Sequence, residues 1–230
     1  MKFLTGIFFL ALCMQGLGQT SIDVDDTLMR NNTTFFNTVD GIPVLNPKYT
    51  RIVEGSLYEP ANFTKAMVFI KNNKRAFTVE ARIDVMDERL HYLDEKRQEK
   101  YADSPIEEVQ FFEAEKNIGI FTSGIPGCGP AFKGWYEVLE RGKMSLHRKI
   151  IKNVSEVKPY GSATTEQKVL TTYTYWLSNG SSCKQVKKIS DLQAELVLAN
   201  PAMQQKIPQR KLSDKKVDDW AELVKIYNAL

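Results

Sequence analysis

The sequence predicts a mainly β fold of the α+β class. It is an antiparallel meander forming a sandwich or partial barrel, with a short C-terminal helical segment. Three observations predict it. Phe77, Val79, Ala81, Ile83 and Val85 alternate with Thr78, Glu80, Arg82 and Asp84, the period-two signature of a half-buried strand. Short runs of the same texture follow one another, joined by turn residues, as in meanders that close on themselves. From Ser190 onward the apolar spacing turns helical.

In chain order, the first segment is MKFLTGIFFLALCMQGLGQT. One lysine precedes an apolar run from Phe3 to Met14, too short to span a bilayer, and the small residues Gly16 and Gly18 follow. This is the pattern of a signal peptide over 1–18, with cleavage between Gly18 and Gln19. Leu12 stands before Cys13 where a lipid-attachment motif needs a small residue, so no lipid anchor is expected. No later stretch approaches the roughly 20 apolar residues of a membrane helix, so the mature chain is expected to have no transmembrane segment.

Residues 19–40 are polar and unpatterned and read as a flexible leader. Within them, Asp26-Thr27-Leu28 fits a short bacterial O-glycosylation pattern. Asn32, Asn62, Asn153 and Asn179 begin Asn-x-Ser/Thr sites, which matter only in a eukaryotic secretory pathway. The β domain is expected over 41–189. Phe63–Ile70 and the alternating segment form a hairpin through Asn72-Asn73. Further strands are expected near 89–93, 106–113, 118–123, 135–141, 144–151, 167–177 and 184–189. The helical segment 190–230 is expected to pack on this body. Ser190 to Gln193 reads as a capping box, Pro201 as the first turn of a second helix, and Ser213 as the cap of a third. On that last helix Val217, Trp220, Leu223, Val224, Tyr227 and Leu230 share a side, making Trp220 and Tyr227 its structural anchors.

Composition narrows the function. The formal net charge is only +3, and Lys2 leaves with the signal segment, so no global field for nucleic acid exists. Charge is nevertheless uneven: 84–115 holds eleven acidic and four basic side chains, and 133–158 seven basic and three acidic. Pairing of these surfaces across antiparallel neighbours is expected, with a basic groove for an anionic ligand as the alternative. Cys128 and Cys183 remain after cleavage, both in loop-like surroundings, and an exported chain leaves either a disulfide or two unpaired side chains open to them.

The closest approach to reactive chemistry is VMDERLHYLDEKRQE, where His91 is flanked by Asp87, Glu88, Asp94, Glu95 and Glu99. With Leu90 and Tyr92 inward, Arg89 and His91 fall on the opposite, wetter strand face, and the carboxylates fall in turns. No metal-ligand spacing is present. His91→Ala is accordingly expected to change stability by no more than about 0.5 kcal/mol. His147 is likewise expected on a polar strand face. Glycines 124, 127, 129 and 134 match no nucleotide-binding loop and read as turns, and Phe132 stands where a third phosphate-loop glycine would. No GxSxG, HExxH or CxxC occurs. Nothing here points to a cofactor or a metal. Tyr173, Tyr175, Trp176 and Lys168 suit core packing better than stacking on sugars or bases.

Four phrases taken in order carry a resemblance: VEGSLYEPANF (53–63), LHYLDEKRQE (90–99), RGKMSLHRK with KPYGSATTEQ (141–149 and 158–167), and the terminal LVKIYNAL. Over roughly 35–230 the chain resembles a group of uncharacterised exported β-rich proteins of Bacteroidota. That resemblance implies a signal peptide, a β-rich body and a C-terminal helix ending in Tyr-Asn, and no activity. The resulting expectation is an exported protein of the periplasm or cell envelope. It acts as a non-enzymatic binding or interaction module for an envelope protein or small ligand. The alternative is a periplasmic hydrolase acting on carbohydrate or peptide, since scattered carboxylates leave no motif.

Overall fold

The computed structural model describes residues 35, 39, 41–44, 49, 51–72, 76–158, 160–161 and 164–230. The signal segment with its Gly18–Gln19 cleavage point lies outside the described residues, as does Asn73 of the expected turn. Among the described residues twelve strands are formed: β1 (Ile42–Pro43), β2 (Ile52–Glu54), β3 (Tyr58–Ile70), β4 (Ala76–Asp84), β5 (Arg89–Leu93), β6 (Glu99–Tyr101), β7 (Ile106–Glu113), β8 (Lys116–Ser123), β9 (Trp135–Glu140), β10 (Ser145–Val157), β11 (Glu166–Ser178) and β12 (Cys183–Val186). Helix α1 (Ile189–Ala199), a 3-10 turn (Pro201–Gln205) and helix α2 (Val217–Asn228) follow.

All twelve strands belong to one open sheet in the order β1-β6-β5-β4-β3-β7-β8-β9-β10-β11-β12, and β2 pairs with β11. The long path is antiparallel throughout, whereas β2 runs parallel to β11, a contact no local pattern announces. The sheet also curls. Three strands separate β3 from β10, yet Lys152 on β10 donates to the Tyr58 carbonyl at 2.7 Å and lies 2.7 Å from the Glu59 carboxylate. The Trp135 indole on β9 likewise donates to the Glu88 carbonyl beyond β4, at 3.2 Å.

Register explains the core. Ala66 faces Val79 and Phe111, Val68 faces Phe77 and Val109, and Ala81 faces Tyr92. These side chains therefore share one face, and they are buried together with Ile83, Leu90, Phe121 and Trp135. The same face also holds Phe35 and Val39, both fully buried. The Phe35 ring sits 5.1 Å from Tyr92 and 5.5 Å from Phe77. This corrects the flexible leader expected over 19–40: at Phe35 and Val39 the chain is part of the core. The apolar residues of this stretch keep no sustained period, yet Phe35 and Val39 fill the concave face of the sheet.

A second cluster continues that face toward β12. Leu146, Tyr175, Leu177 and Val186 meet Leu192 and Leu196 of α1 and Trp220, Leu223 and Val224 of α2. Trp220, 1% exposed, sits within this cluster, and Tyr227 packs half-buried against it. Asn228 adds a polar clasp: its side chain accepts from the Met144 amide and donates to the Met144 and Arg141 carbonyls.

The caps differ from the expected ones. The first helix begins at Ile189, because the Asp191 carboxylate accepts from the Lys188 amide, so Ser190 lies inside it. The last begins at Val217, since the Ser213 amide is taken by Asp219, itself held below the usual carboxylate range by Arg210 and that amide. Asn200 does cap the 3-10 turn, accepting from the Ala202 amide at 3.1 Å.

Candidate ligand-binding cleft

On β5, His91 faces away from Leu90 and Tyr92, as strand parity demands, but that face is not wet: His91 is 6% exposed. The rings of Tyr58 and Tyr101 cover it at 5.5 and 6.1 Å. Its Nδ1 lies 2.7 Å from Glu99 Oε1, which also accepts from Arg82 at 2.8 Å. Burial pushes the Glu99 carboxyl up, but the hydrogen bonds from His91 and Arg82 outweigh it and hold the group below its ordinary value. Arg82 itself lies between the faces of Tyr58 and Phe63. The dispensable, solvated histidine is therefore corrected to one closing a covered ionic cluster. Of the nearby acids, Asp94 accepts from the Lys96 and Gln98 amides and Asp84 from those of Met86 and Asp87, while Glu88 pairs with Lys149. Among the described residues no three His, Cys, Asp or Glu side chains gather to hold a metal ion.

The segment from Gly124 to Gly134, which reads as turns in the sequence, builds the more open site. Thr122, Val138, His147 and Trp176 share the outer face of β8–β11, opposite the core. After β8 the chain folds back across this face. Gly124 and Gly127 permit the path, with φ of 122° and 80°. A Cβ on Gly127 would stand 1.8 Å from the Gly180 carbonyl, and one on Gly124 2.6 Å from the Phe132 carbonyl. Any larger residue would push the loop off.

Two further contacts fasten the loop. Cys128 and Cys183 form a disulfide with Cα atoms 5.5 Å apart, tying the loop to the start of β12. The Phe132 ring meets Trp176 edge-on at 4.9 Å. Of the two arrangements open to the cysteines, the structure has the bridged one.

Between this roof and the strands lies a cleft of about 780 Å³, within the size range of small-molecule sites. Lys71, Glu107, Glu108, Lys133 and Arg141 stand around it, Ile125, Phe132 and Val138 supply apolar wall, and Thr122, His147, Ser178 and Asn179 the polar groups. Most of these are already engaged. Arg141 pairs with Glu108 at 2.6 Å, and Glu108 also accepts from Gln110. Thr122 donates to the Gly124 carbonyl, and Ser178 accepts from the Gly180 amide. The Asn179 carbonyl oxygen accepts from the Ser181 and Ser182 amides.

His147 is the exception. It is 3% exposed, and its Nδ1 has no hydrogen-bond partner. Burial, helped by the nearby Arg141 charge, pushes its pKa down from 6.5 to about 4, so the ring is neutral at neutral pH. This corrects the polar, solvated face expected for His147: the face is polar only where the loop leaves it uncovered.

The charged segments pair as expected in part. Glu108 with Arg141 and Glu88 with Lys149 join the acidic stretch to the basic one. Arg148 turns inward instead. It bonds Glu137 at 2.6 Å on the core face, where burial raises the Glu137 carboxyl despite Arg148. A second hollow, about 670 Å³, lies between β11 and α2 beside Tyr173, Tyr175 and Trp220. Tyr175 is buried there and Tyr173 half exposed, so the aromatic run is only partly core.

No helix among the described residues is long and apolar enough to cross a membrane. No family model, curated protein or solved structure matches the chain.

Proposed function

We propose that this is an exported cell-envelope binding module that holds a small ligand in the cleft beneath the 124–134 loop. The carrying observation is the cleft itself, about 780 Å³ between the loop and the outer sheet face, with Ile125, Phe132 and Val138 as apolar wall and Thr122, His147, Ser178 and Asn179 as polar lining. Export rests on the charged, apolar and small-residue succession of 1–18.

The site's chemistry favours holding over hydrolysis. A general base works best with a pKa near the operating pH, and His147 lies well below that. Glu108, one of two acids on the rim, is paired with Arg141. Binding needs neither group to change its proton.

The test is an amide chemical-shift screen of the isotopically labelled protein against a fragment library of neutral, anionic, cationic and apolar compounds. Hits should move the amides of Thr122, Val138, His147 and Asn179. If no class of fragment moves them, the binding reading fails. Turnover of chromogenic glycoside or peptide substrates, lost on His147→Gln, would replace it with the hydrolase.

A further inference from the structure

We propose that the open edge of β11, between β2 and β12, is a docking slot for a short, extended, acidic peptide that adds to the sheet as a further strand. This site is separate from the cleft beneath the 124–134 loop and does not depend on it.

The slot follows from the topology. Along one edge β11 pairs with β10 over its whole length, from Glu166 to Ser178, with no shift of register. Along the other edge it has two partial partners. β2 reaches only Gln167 and Lys168, and β12 only Tyr175 to Ser178. Between them, residues 169–174 have no strand beside them among the described residues, a gap of about 20 Å at the rise of a strand. Each partner leaves the edge for a local reason. β2 turns off at Gly55, whose φ is 83° and where an added Cβ would stand 2.9 Å from that of Val169. β12 ends where the Asp191 carboxylate accepts from the Lys188 amide and α1 begins.

Strand parity identifies the groups that face the gap. The Gln167 amide donates to the Arg51 carbonyl on the β2 side, and the Asn179 amide to the Ser182 carbonyl at the β12 end. Alternate residues of a strand aim both backbone groups at the same edge, so Thr171 and Tyr173 aim theirs into the gap. No described residue bonds to them there. The stretch is also reachable: Leu170, Thr171, Thr172 and Tyr173 are all exposed, where an internal strand would alternate. Open edges are ordinarily blunted by charge, proline or a bulge, and 169–174 carries none of these. Its residues are mostly β-branched or aromatic, the types that favour strand pairing.

Shape and charge select the occupant. A second copy cannot lay its own β11 alongside, because β2 and β12 stand in the line that a longer strand would take. A short segment fits between them. The hollow of about 670 Å³ opens at Tyr173, between the end of β12 and α2, and can receive a side chain of the added strand. Its charged lining is Arg148, Lys187 and Lys215 against Asp214 alone. Arg148 is held by Glu137, and the Asp214 carboxylate accepts from the Ile189 amide at 2.7 Å. Lys187 and Lys215 are exposed and have no carboxylate partner among the described residues. Acidic side chains on the peptide supply that partner, and basic ones are repelled. Backbone bonds contribute most of the affinity and the lysines the preference, since solvent weakens exposed ion pairs.

The experiment titrates three end-capped peptides of about seven residues, matched to the gap, into the full chain with its disulfide intact. One alternates valine with glutamate, and one valine with lysine. The third is the glutamate peptide with its backbone nitrogens methylated, which removes the donors a strand needs. The glutamate peptide should shift the Thr171 and Tyr173 amides and slow their hydrogen exchange. The lysine peptide should bind about tenfold more weakly or worse, and the methylated one should not bind. Reversing both lysines together, Lys187→Glu with Lys215→Glu, should exchange the preference between the first two peptides. Thr171→Pro, which removes an amide that β10 does not use, should abolish binding. If that variant fails to fold, the charge-reversed one still decides. Equal binding of the glutamate and lysine peptides overturns the proposal, as does retained binding of the methylated peptide. Concentration-dependent shifts of Thr171 and Tyr173 without peptide would give the edge to a second copy and overturn it too. So would silence from all three peptides. The cleft is read separately, through Thr122, Val138 and Asn179.

Discussion

The Trp220 indole lies flat against the Tyr175 ring, with centroids 4.1 Å apart and planes 5° from parallel. The same indole donates to the Asp214 carbonyl at 3.1 Å, so one side chain joins β11, α2 and the turn before α2. Trp220→Ala should therefore lower stability by about 3–5 kcal/mol, the range for a buried aromatic. A denaturant melt measures it, alongside a chain stopped at Ser213. Unchanged midpoints in both would show that α2 contributes nothing to the core.

The disulfide makes a separate prediction. Cys128 and Cys183 are 55 positions apart, and closing a loop of that length restricts the unfolded chain by about 4 kcal/mol at most. Cys128→Ser should lower stability by about 2–4 kcal/mol and loosen the cleft's roof, so ligand titrations weaken as well. Thiol labelling of unfolded, unreduced protein checks the premise. Reactive thiols at Cys128 and Cys183 would refute it.

His147 sets a pH window. Its pKa falls from 6.5 to about 4 on folding. As pH drops through that interval the unfolded chain binds a proton that the fold refuses, so stability falls by on the order of 3 kcal/mol and then levels off. Above the window the group contributes no slope. Glu99, held low in the fold, stabilises above the ordinary glutamate range and loses that contribution only as pH falls below it. Urea midpoints of wild type and His147→Gln across the window separate the two, because the variant keeps Glu99 and loses the imidazole. Wild type should lose stability relative to the variant as pH falls through the window. A constant difference would contradict the assignment.

His91→Ala should cost about 1–3 kcal/mol, because it strips the Glu99 carboxylate of a partner in a half-buried cluster. A thermal melt of the variant is the measurement, with Glu99→Gln as the reciprocal change. A midpoint within the scatter of wild type would return His91 to the solvated role that strand parity alone suggests.

Both histidines show which features were legible in the chain. Alternation from Phe77 to Val85 identified a strand and its inward face, because a side chain's side depends only on its neighbours. Whether the other side is wet depends on what arrives there from elsewhere. Tyr58 and Tyr101 cover His91, and the loop carrying Phe132 comes down beside His147. The cleft itself is assembled from the ends of β3 and β7, the loop after β8, β9 and β10, and the turn after β11. No window of sequence contains it. The glycines were readable as turns, and only the approach of Gly127 to the Gly180 carbonyl gives them their purpose. Phe35 and Val39 were hidden for another reason: the apolar residues of 19–40 keep no sustained period, so nothing local marks which of them are buried.

The parallel seam between β2 and β11 bears on the timing of assembly. Glu54 and Lys168 meet there at 2.8 Å across 114 positions of chain. During synthesis, Ile52–Glu54 would emerge first and wait while the β3–β4, β4–β5 and β7–β8 hairpins close from neighbouring residues. The seam forms only when β11 arrives. Until then the forming sheet has a temporary unpaired edge, the period in which a chaperone or a neighbouring chain would find it most exposed.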